Sequence, residues 1–256
     1  MKKNFKLTNI FGINSLETLV DFYPQNILEL HIDSDKRNQR ISSLKRKLKK
    51  LSFTYHDTSK GEIDRLSKTK KNQGVFARIK LTNVGSFSDL KNDENIANKN
   101  TILILDSIQD PQNLGACIRT ACAAGVNSII INQDGSSPIN EHVVNSSTGS
   151  LFLVKIYYVP NIINCINLLK DKGFWIYGLD ANTNNSIYNN SFNMPTAIIL
   201  GSEGSGIRKS ILDNCDLNVM IPMEYKLDSL NVSVSAGISL YEIKRQQNID
   251  KMHFQN

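Results

Sequence analysis

The chain has 256 residues, 40% of them hydrophobic, and a formal net charge of +6. That length suits one large domain or two smaller ones with a real core, and the positive balance leans towards a polyanionic partner. The four cysteines (Cys117, Cys122, Cys165 and Cys215) form no CxxC pair and the four histidines lie far apart, which argues against a zinc site and for free thiols in a reducing compartment. The opening MKKNFKLTNIFGI lacks the apolar stretch of a signal peptide. No window approaches the ~20 apolar residues that span a bilayer, so a soluble, cytoplasmic protein without metal or membrane is expected.

The first ~80 residues read as a small α/β sandwich. Asn14 or Ser15 is placed to cap a helix whose apolar face is Leu16, Leu19, Val20 and Phe22. ILELHI (27–32) follows as a strand. SSLKRKLKKL (42–51) is a basic helix, with Leu44, Leu48 and Leu51 as its buried stripe and Lys45, Arg46, Lys47, Lys49 and Lys50 around it. These cations are either a phosphate-attracting surface or a solvated helix face. Phe53–Tyr55 predicts a short strand, GEIDRLSK a short helix and GVFARIKL (74–81) a closing strand. Residues 83–99 are polar and aperiodic and read as a linker.

From residue 100 apolar strand-like runs alternate with helix-like runs. The strands are expected at 102–105, 128–131, 152–157, 175–179, 197–200 and 218–221, and the helices at 114–124, 141–147, 162–172, 207–214 and 230–246. Such alternation indicates a parallel sheet covered on both faces. The expected division is 1–82, linker 83–99, 100–247 and a polar tail 248–256.

Three junctions between strand and helix carry polar groups where a parallel sheet binds ligands. The first is DPQNLGACIR, in which Asp110-Pro111 starts a helix and Asn113 and Arg119 follow. By itself Asn113 could equally be a capping residue. The second is LGSEGSG (200–206), a glycine loop with Glu203 inside it; its order and context do not fit a dinucleotide fingerprint. The third is IPM (221–223), followed by a loop to Asp228, Ser229 and a helix near Leu230, with Ser229 as its cap. Leu230, Val234, Ile238 and Tyr241 are the expected buried face of that helix, whereas Asn231 in its first turn points to the crevice, a partner subunit or water. The alternation Val232-Ser233-Val234-Ser235 favours a strand locally, and conflicts of this kind tend to fall at functional sites.

These residues resemble the three motifs of the SpoU (TrmH) branch of the SPOUT methyltransferases: Asn113, Gly115 and Arg119; Leu200 to Gly206; and Ile221-Pro222-Met223 with Ser229-Leu230-Asn231-Val232-Ser233. The front region, with FGINSLETL and NQGVFARIK, is similar to the front domain of the bacterial 23S rRNA guanosine-2′-O-methyltransferases. The resemblance implies an α/β fold with a trefoil-knotted parallel-sheet domain behind an L30e-like RNA-binding domain. It also implies S-adenosylmethionine as methyl donor, a ribose 2′-hydroxyl as acceptor, and a homodimer whose sites draw on both subunits.

By the same resemblance Gly201, Ile221 and Leu230, with Leu200, Gly206, Pro222 and Met223, would hold the cofactor. Arg119 would lie beside the acceptor ribose, and Asn113, Glu203, Ser229 and Asn231 would fix the ribose, the arginine or the methionyl group. A guanidinium resists deprotonation, so Arg119 is expected to stabilise negative charge rather than take a proton, with Glu203 orienting it. The leading expectation is methylation of a guanosine of 23S rRNA. A tRNA guanosine-2′-O-methyltransferase and a non-catalytic RNA-binding assembly factor stay open.

Overall fold

The computed structural model describes residues 6–35, 38–98, 100–224 and 229–252. The front unit contains β1 (Lys6–Phe11), α1 (Ile13–Phe22), β2 (Ile27–Asp33), α2 (Gln39–Lys50), β3 (His56–Thr58), α3 (Lys60–Ser67) and β4 (Val75–Leu81). Its four-stranded sheet has the order β1-β4-β2-β3. β4 pairs antiparallel with both neighbours, and β3 adds parallel to β2. β1 was not anticipated from the sequence; it reaches its partner β4 only across the whole unit.

Three local expectations need correction here. The third strand is His56–Thr58, not Phe53–Tyr55, whose two rings are half-buried against the core from a loop. On α2 the inward stripe is Ile41, Leu44 and Leu48, while Leu51 ends the helix and is exposed, as is Phe22 at the end of α1. The last residue of a helix has no following turn to carry it over the core. Gly12 occupies the cap position of α1, so Asn14 and Ser15 lie inside the helix.

The rear unit comprises β5 (Val84–Ser86), α4 (Phe87–Lys91), β6 (Thr101–Leu105), α5 (Pro111–Ala123), β7 (Ser128–Asn132), α6 (Glu141–Ser146), β8 (Lys155–Val159), α7 (Ile162–Asp171), β9 (Trp175–Leu179), β10 (Thr196–Leu200), α8 (Lys209–Leu212), β11 (Leu217–Val219) and α9 (Val232–Met252). Its seven strands run β11-β9-β10-β6-β7-β8-β5, with every pairing parallel. Successive side chains of a strand point to opposite faces. Leu103 and Leu105 of β6 therefore join α5, α6 and α9 in one core, while Ile102 and Ile104 join α7 and α8 in the other. Both faces are dry, which explains the continuous runs TILIL, SIIIN and TAIIL.

Residues 83–98 are not a featureless linker. It supplies the edge strand β5 and the helix α4, which Ser86 and Asp89 cap reciprocally. Leu90 and Ile96 are fully buried, and Asp93 accepts hydrogen bonds from Tyr157 (2.7 Å) and Lys155 (3.1 Å). Elements of three to five residues show no period, so the sequence could not reveal them. Phe152 lies in a 3-10 turn (Ser150–Leu153), and the strand expected over 152–157 starts at Lys155. The helix expected at 207–214 and the strand at 218–221 are shortened to α8 and β11.

α9 carries the largest correction. It buries Val232, Ala236, Leu240 and Ile243, leaving Val234 49% and Tyr241 50% exposed and Ile238 half-buried. Two apolar stripes at helical spacing share this helix, and the sequence alone favoured the outer one. The helix also continues to Met252, into the segment expected as tail. Asp228 and residues 253–256 lie outside the described residues. No helix among the described residues is long and apolar enough to cross a membrane, and no three His, Cys, Asp or Glu residues among them cluster as metal ligands would.

Candidate active site

The three junctions converge at the carboxyl ends of β6, β10 and β11. The end of β10 is tied to β6 by the Asp106 N–H donating to the Leu200 carbonyl (2.8 Å). Directly after it the chain doubles back, with the Gly206 N–H donating to the Ser202 carbonyl (2.9 Å) and the Ser202 and Ser205 hydroxyls hydrogen-bonded at 2.7 Å. Glycine is required at 201: an added Cβ would lie 2.0 Å from the Gly206 carbonyl carbon and 2.3 Å from the Ile207 nitrogen. Both contacts are backbone and cannot rotate away.

Glu203, at the tip of this loop, faces the start of α9. The helix is capped by Asn231, whose Oδ1 accepts from the Ser233 N–H (2.9 Å), and not by Ser229 as expected. The Asn231 amide donates to Glu203 and to Asn113 Oδ1 (3.0 Å), and the Val232 N–H also donates to Glu203 (3.4 Å). An acidic group at the positive end of α9 is electrostatically favoured. Asn113 is free for this contact because Asp110, not Asn113, caps α5, accepting from the N–H groups of Gln112 (3.2 Å) and Asn113 (3.0 Å). One residue from each junction thus joins a single hydrogen-bonded chain.

Two cavities flank that chain. The larger, about 620 Å³, is lined by Leu200, Gly201, Gly206, Ile221, Met223, Ser229 and Leu230 among others. The smaller, about 370 Å³, is lined by Ile108, Asp110, Asn113 and Val232. The loop from Ser202 to Ser205 forms a wall of both, so two ligands seated in them would meet across Glu203.

Two expected residues are not gathered here. Pro222 is exposed and does not line the cavity, although its neighbours Ile221 and Met223 do. Arg119 is exposed, lines neither cavity and has no hydrogen bond or ion pair among the described residues. Six residues along a helix are roughly 9 Å of rise and about 240° of rotation, so Arg119 leaves α5 on a different face from Asn113. Within one chain Glu203 therefore orients Asn231, not the arginine. Gly115 serves packing: a Cβ there would sit 2.7 Å from the Val143 carbonyl, where α5 crosses α6.

One feature escaped the sequence reading. Asp106, fully buried at the end of β6, receives the guanidinium of Arg208 side-on: Nε donates to Oδ2 (3.2 Å) and Nη2 to Oδ1 (2.8 Å). An acid closing an apolar strand was the available signal. The thiols are chemically quiet. Burial, with a smaller contribution from Glu203, pushes Cys117 up to about 12, and burial does the same to Cys165. On α2, Lys45 pairs with Asp57 (2.6 Å) and Lys47 with Asp21, while Arg46, Lys49 and Lys50 stay exposed.

A parallel α/β sheet with a composite ligand site at its strand ends is the class this architecture defines. Residues 100–241 match the SpoU rRNA methylase family, and residues 9–84 match the substrate-binding domain of RNA 2′-O ribose methyltransferases. The chain belongs to the SpoU rRNA methylase family. Among similar curated proteins, a 23S rRNA (guanosine-2′-O-)-methyltransferase RlmB from Shewanella oneidensis is 36% identical over 240 residues, covering 93% of this chain and 97% of that protein. The RlmB of Coxiella burnetii is 35% identical over 246 residues, covering 94% and 97%. The solved SpoU methyltransferase AviRb of Streptomyces viridochromogenes shares the fold, with a TM-score of 0.78 at 21% identity over 95% of this chain and 91% of that one. A TrmH/SpoU tRNA modifying enzyme from A. aeolicus superposes with a TM-score of 0.54 at 30% identity, covering 60% of this chain and 78% of its own.

Proposed function

We propose that this protein transfers a methyl group from S-adenosylmethionine to the 2′-hydroxyl of a guanosine in 23S rRNA, in the cytoplasm. The observation that carries the reading is the pair of cavities sharing the Ser202–Ser205 wall, with Asn113, Glu203 and Asn231 linked between them. The larger cavity fits the donor: its volume is ample, Leu200, Ile221 and Leu230 offer apolar contact to an adenosine, and Glu203 offers negative charge to a sulfonium. When bound, that donor supplies an electrophilic methyl carbon, and the protein's task is alignment and charge management. Gly201, Gly206, Ile221, Leu230 and Met223 hold the donor. Asn113 and Asn231 place the acceptor ribose, with Glu203 fixing the Asn231 amide and Ser229 at the edge of the pocket. The buried thiols take no part as nucleophiles at neutral pH.

Arg119 enters the site from a second copy of the chain. The outer stripe of α9 (Val234, Ile238 and Tyr241) supports this, because α9 packs on α5, the helix that carries Arg119. A surface of this kind suits an isologous homodimer, in which each subunit completes the other's site. There the guanidinium stabilises negative charge developing on the ribose oxygen or binds the adjacent phosphate. We assign 1–82 to an L30e-like RNA-binding domain and 100–247 to a trefoil-knotted catalytic domain, joined by the packed segment 83–99. The order β11-β9-β10-β6, followed by a return to α5 through α9, supports a threaded chain.

Incubation with methyl-labelled donor and total RNA, followed by size separation and nucleoside analysis, tests the reading. Label is expected as 2′-O-methylguanosine in 23S rRNA. Label in tRNA would favour the tRNA enzyme instead, and absence of label would leave an assembly factor.

A further inference from the structure

We infer that Arg208, held by the buried carboxylate of Asp106, is the group that grips the carboxylate of the methyl donor; this rests on the cofactor reading above. Asp106 has no exposed surface and closes β6, so its charge needs a partner, and Arg208 is the cation that meets it. The contact uses one edge of the guanidinium, Nε and Nη2; the Arg208 backbone N–H adds a third, longer contact to Oδ2 (3.4 Å). The other edge, with both N–H groups of Nη1 and one of Nη2, has no partner among the described residues. A planar fork with one edge fixed and one open is preorganised for a second carboxylate.

The open edge lies in the right place. Arg208 lines the larger cavity and not the smaller, so it stands on the donor side of the shared wall. Its side chain is 53% exposed although its partner is wholly buried. Among the described residues that line that cavity, Arg208 and its neighbour Lys209 are the only cations. The donor carries one anionic group, the carboxylate of its amino-acid tail. The acids lining the same cavity, Asp180 and Glu203, repel that carboxylate and suit the ammonium and sulfonium instead. The Asp106–Arg208 pair would thereby set the direction in which the donor lies.

Titration calorimetry with S-adenosylmethionine and with its decarboxylated form, which keeps the amine and the sulfonium, separates the possibilities. Wild-type protein should prefer the carboxylated donor. Arg208→Ala should lose about tenfold or more in affinity for it and stay within about twofold for the decarboxylated form, so that the preference disappears. Binding of the decarboxylated form also reports that the variant is folded. Equal weakening of both ligands would overturn the inference, leaving Arg208 as a brace for the loop. Unchanged affinity for both, with loss of RNA binding, would overturn it too, by assigning the guanidinium to an RNA phosphate. If neither compound bound wild-type protein, the cofactor reading itself would fall.

Discussion

Gly201→Ala is the sharpest test of how the loop builds the proposed donor site. The added Cβ meets the Gly206 carbonyl carbon at 2.0 Å, its oxygen at 2.1 Å and the Ile207 nitrogen at 2.3 Å. Ordinary contact lies near ~3.5 Å, so the hairpin must open by roughly 1.5 Å. Overpacking of this kind costs about 1–3 kcal/mol. At about 2–4 °C per kcal/mol for a chain of this size, the melting temperature should fall by roughly 2–12 °C. The same displacement carries Glu203 and the Ser202–Ser205 wall with it, and an error on the order of 1 Å at a reacting pair costs about 100-fold in rate. Gly204→Ala is the internal control, since a Cβ there meets nothing within 4 Å. Scanning fluorimetry, calorimetry with S-adenosylhomocysteine and single-turnover methylation read the three effects. Unaltered melting and unaltered ligand affinity in Gly201→Ala would refute the claim that backbone closure at 201 shapes the pocket.

Three other outcomes are expected. Mixing Arg119→Ala with Asn231→Ala subunits should restore methylation: half the dimers are mixed and one of their two sites is intact, giving roughly a quarter of wild-type sites. No recovery after subunit exchange would place Arg119 outside a shared site. Replacing Lys49 and Lys50 by glutamate should weaken RNA binding and flatten its salt dependence by about one to two phosphate contacts, with donor affinity unchanged; equal loss of both would indicate misfolding. Burial by itself would raise Asp93, but hydrogen bonds from Tyr157, Lys155 and the Asn95 N–H outweigh it and leave the group below its ordinary value. A carboxylate depressed in the folded state contributes stability above its unfolded pKa of ~3.9 and loses that contribution as pH falls through the folded value. Urea unfolding of Asp93→Asn should therefore lose the part of the acid dependence below about pH 4 that wild type shows; identical pH profiles would contradict the assignment.

How much was legible depends on whether a residue's role is set by neighbours in sequence or by neighbours in space. The rear sheet was readable because TILIL, SIIIN and TAIIL are buried on both faces, and only a parallel sheet under two helix layers asks for that. The motifs singled out Asn113, Glu203 and Asn231 as candidate site residues. Their hydrogen-bonded chain was not, because 118 residues separate Asn113 from Asn231. Asp106 and Arg208, 102 residues apart, went unnoticed for the same reason.

The sequence by itself thus determined the α/β alternation, the placement of three polar junctions at strand ends, and the family. Tertiary structure decided which of two apolar stripes on α9 faces the core, since Val232, Ala236, Leu240 and Ile243 satisfy a helical period as well as Val234, Ile238 and Tyr241 do. It decided that 83–98 packs as an edge strand and short helix, because its anchors Leu90, Ile96 and Asp93 acquire meaning only against β8. It also turned Arg119 away from the site of its own chain, since 3.6 residues per turn fix the direction of a side chain while sequence spacing alone does not show which neighbour lies there.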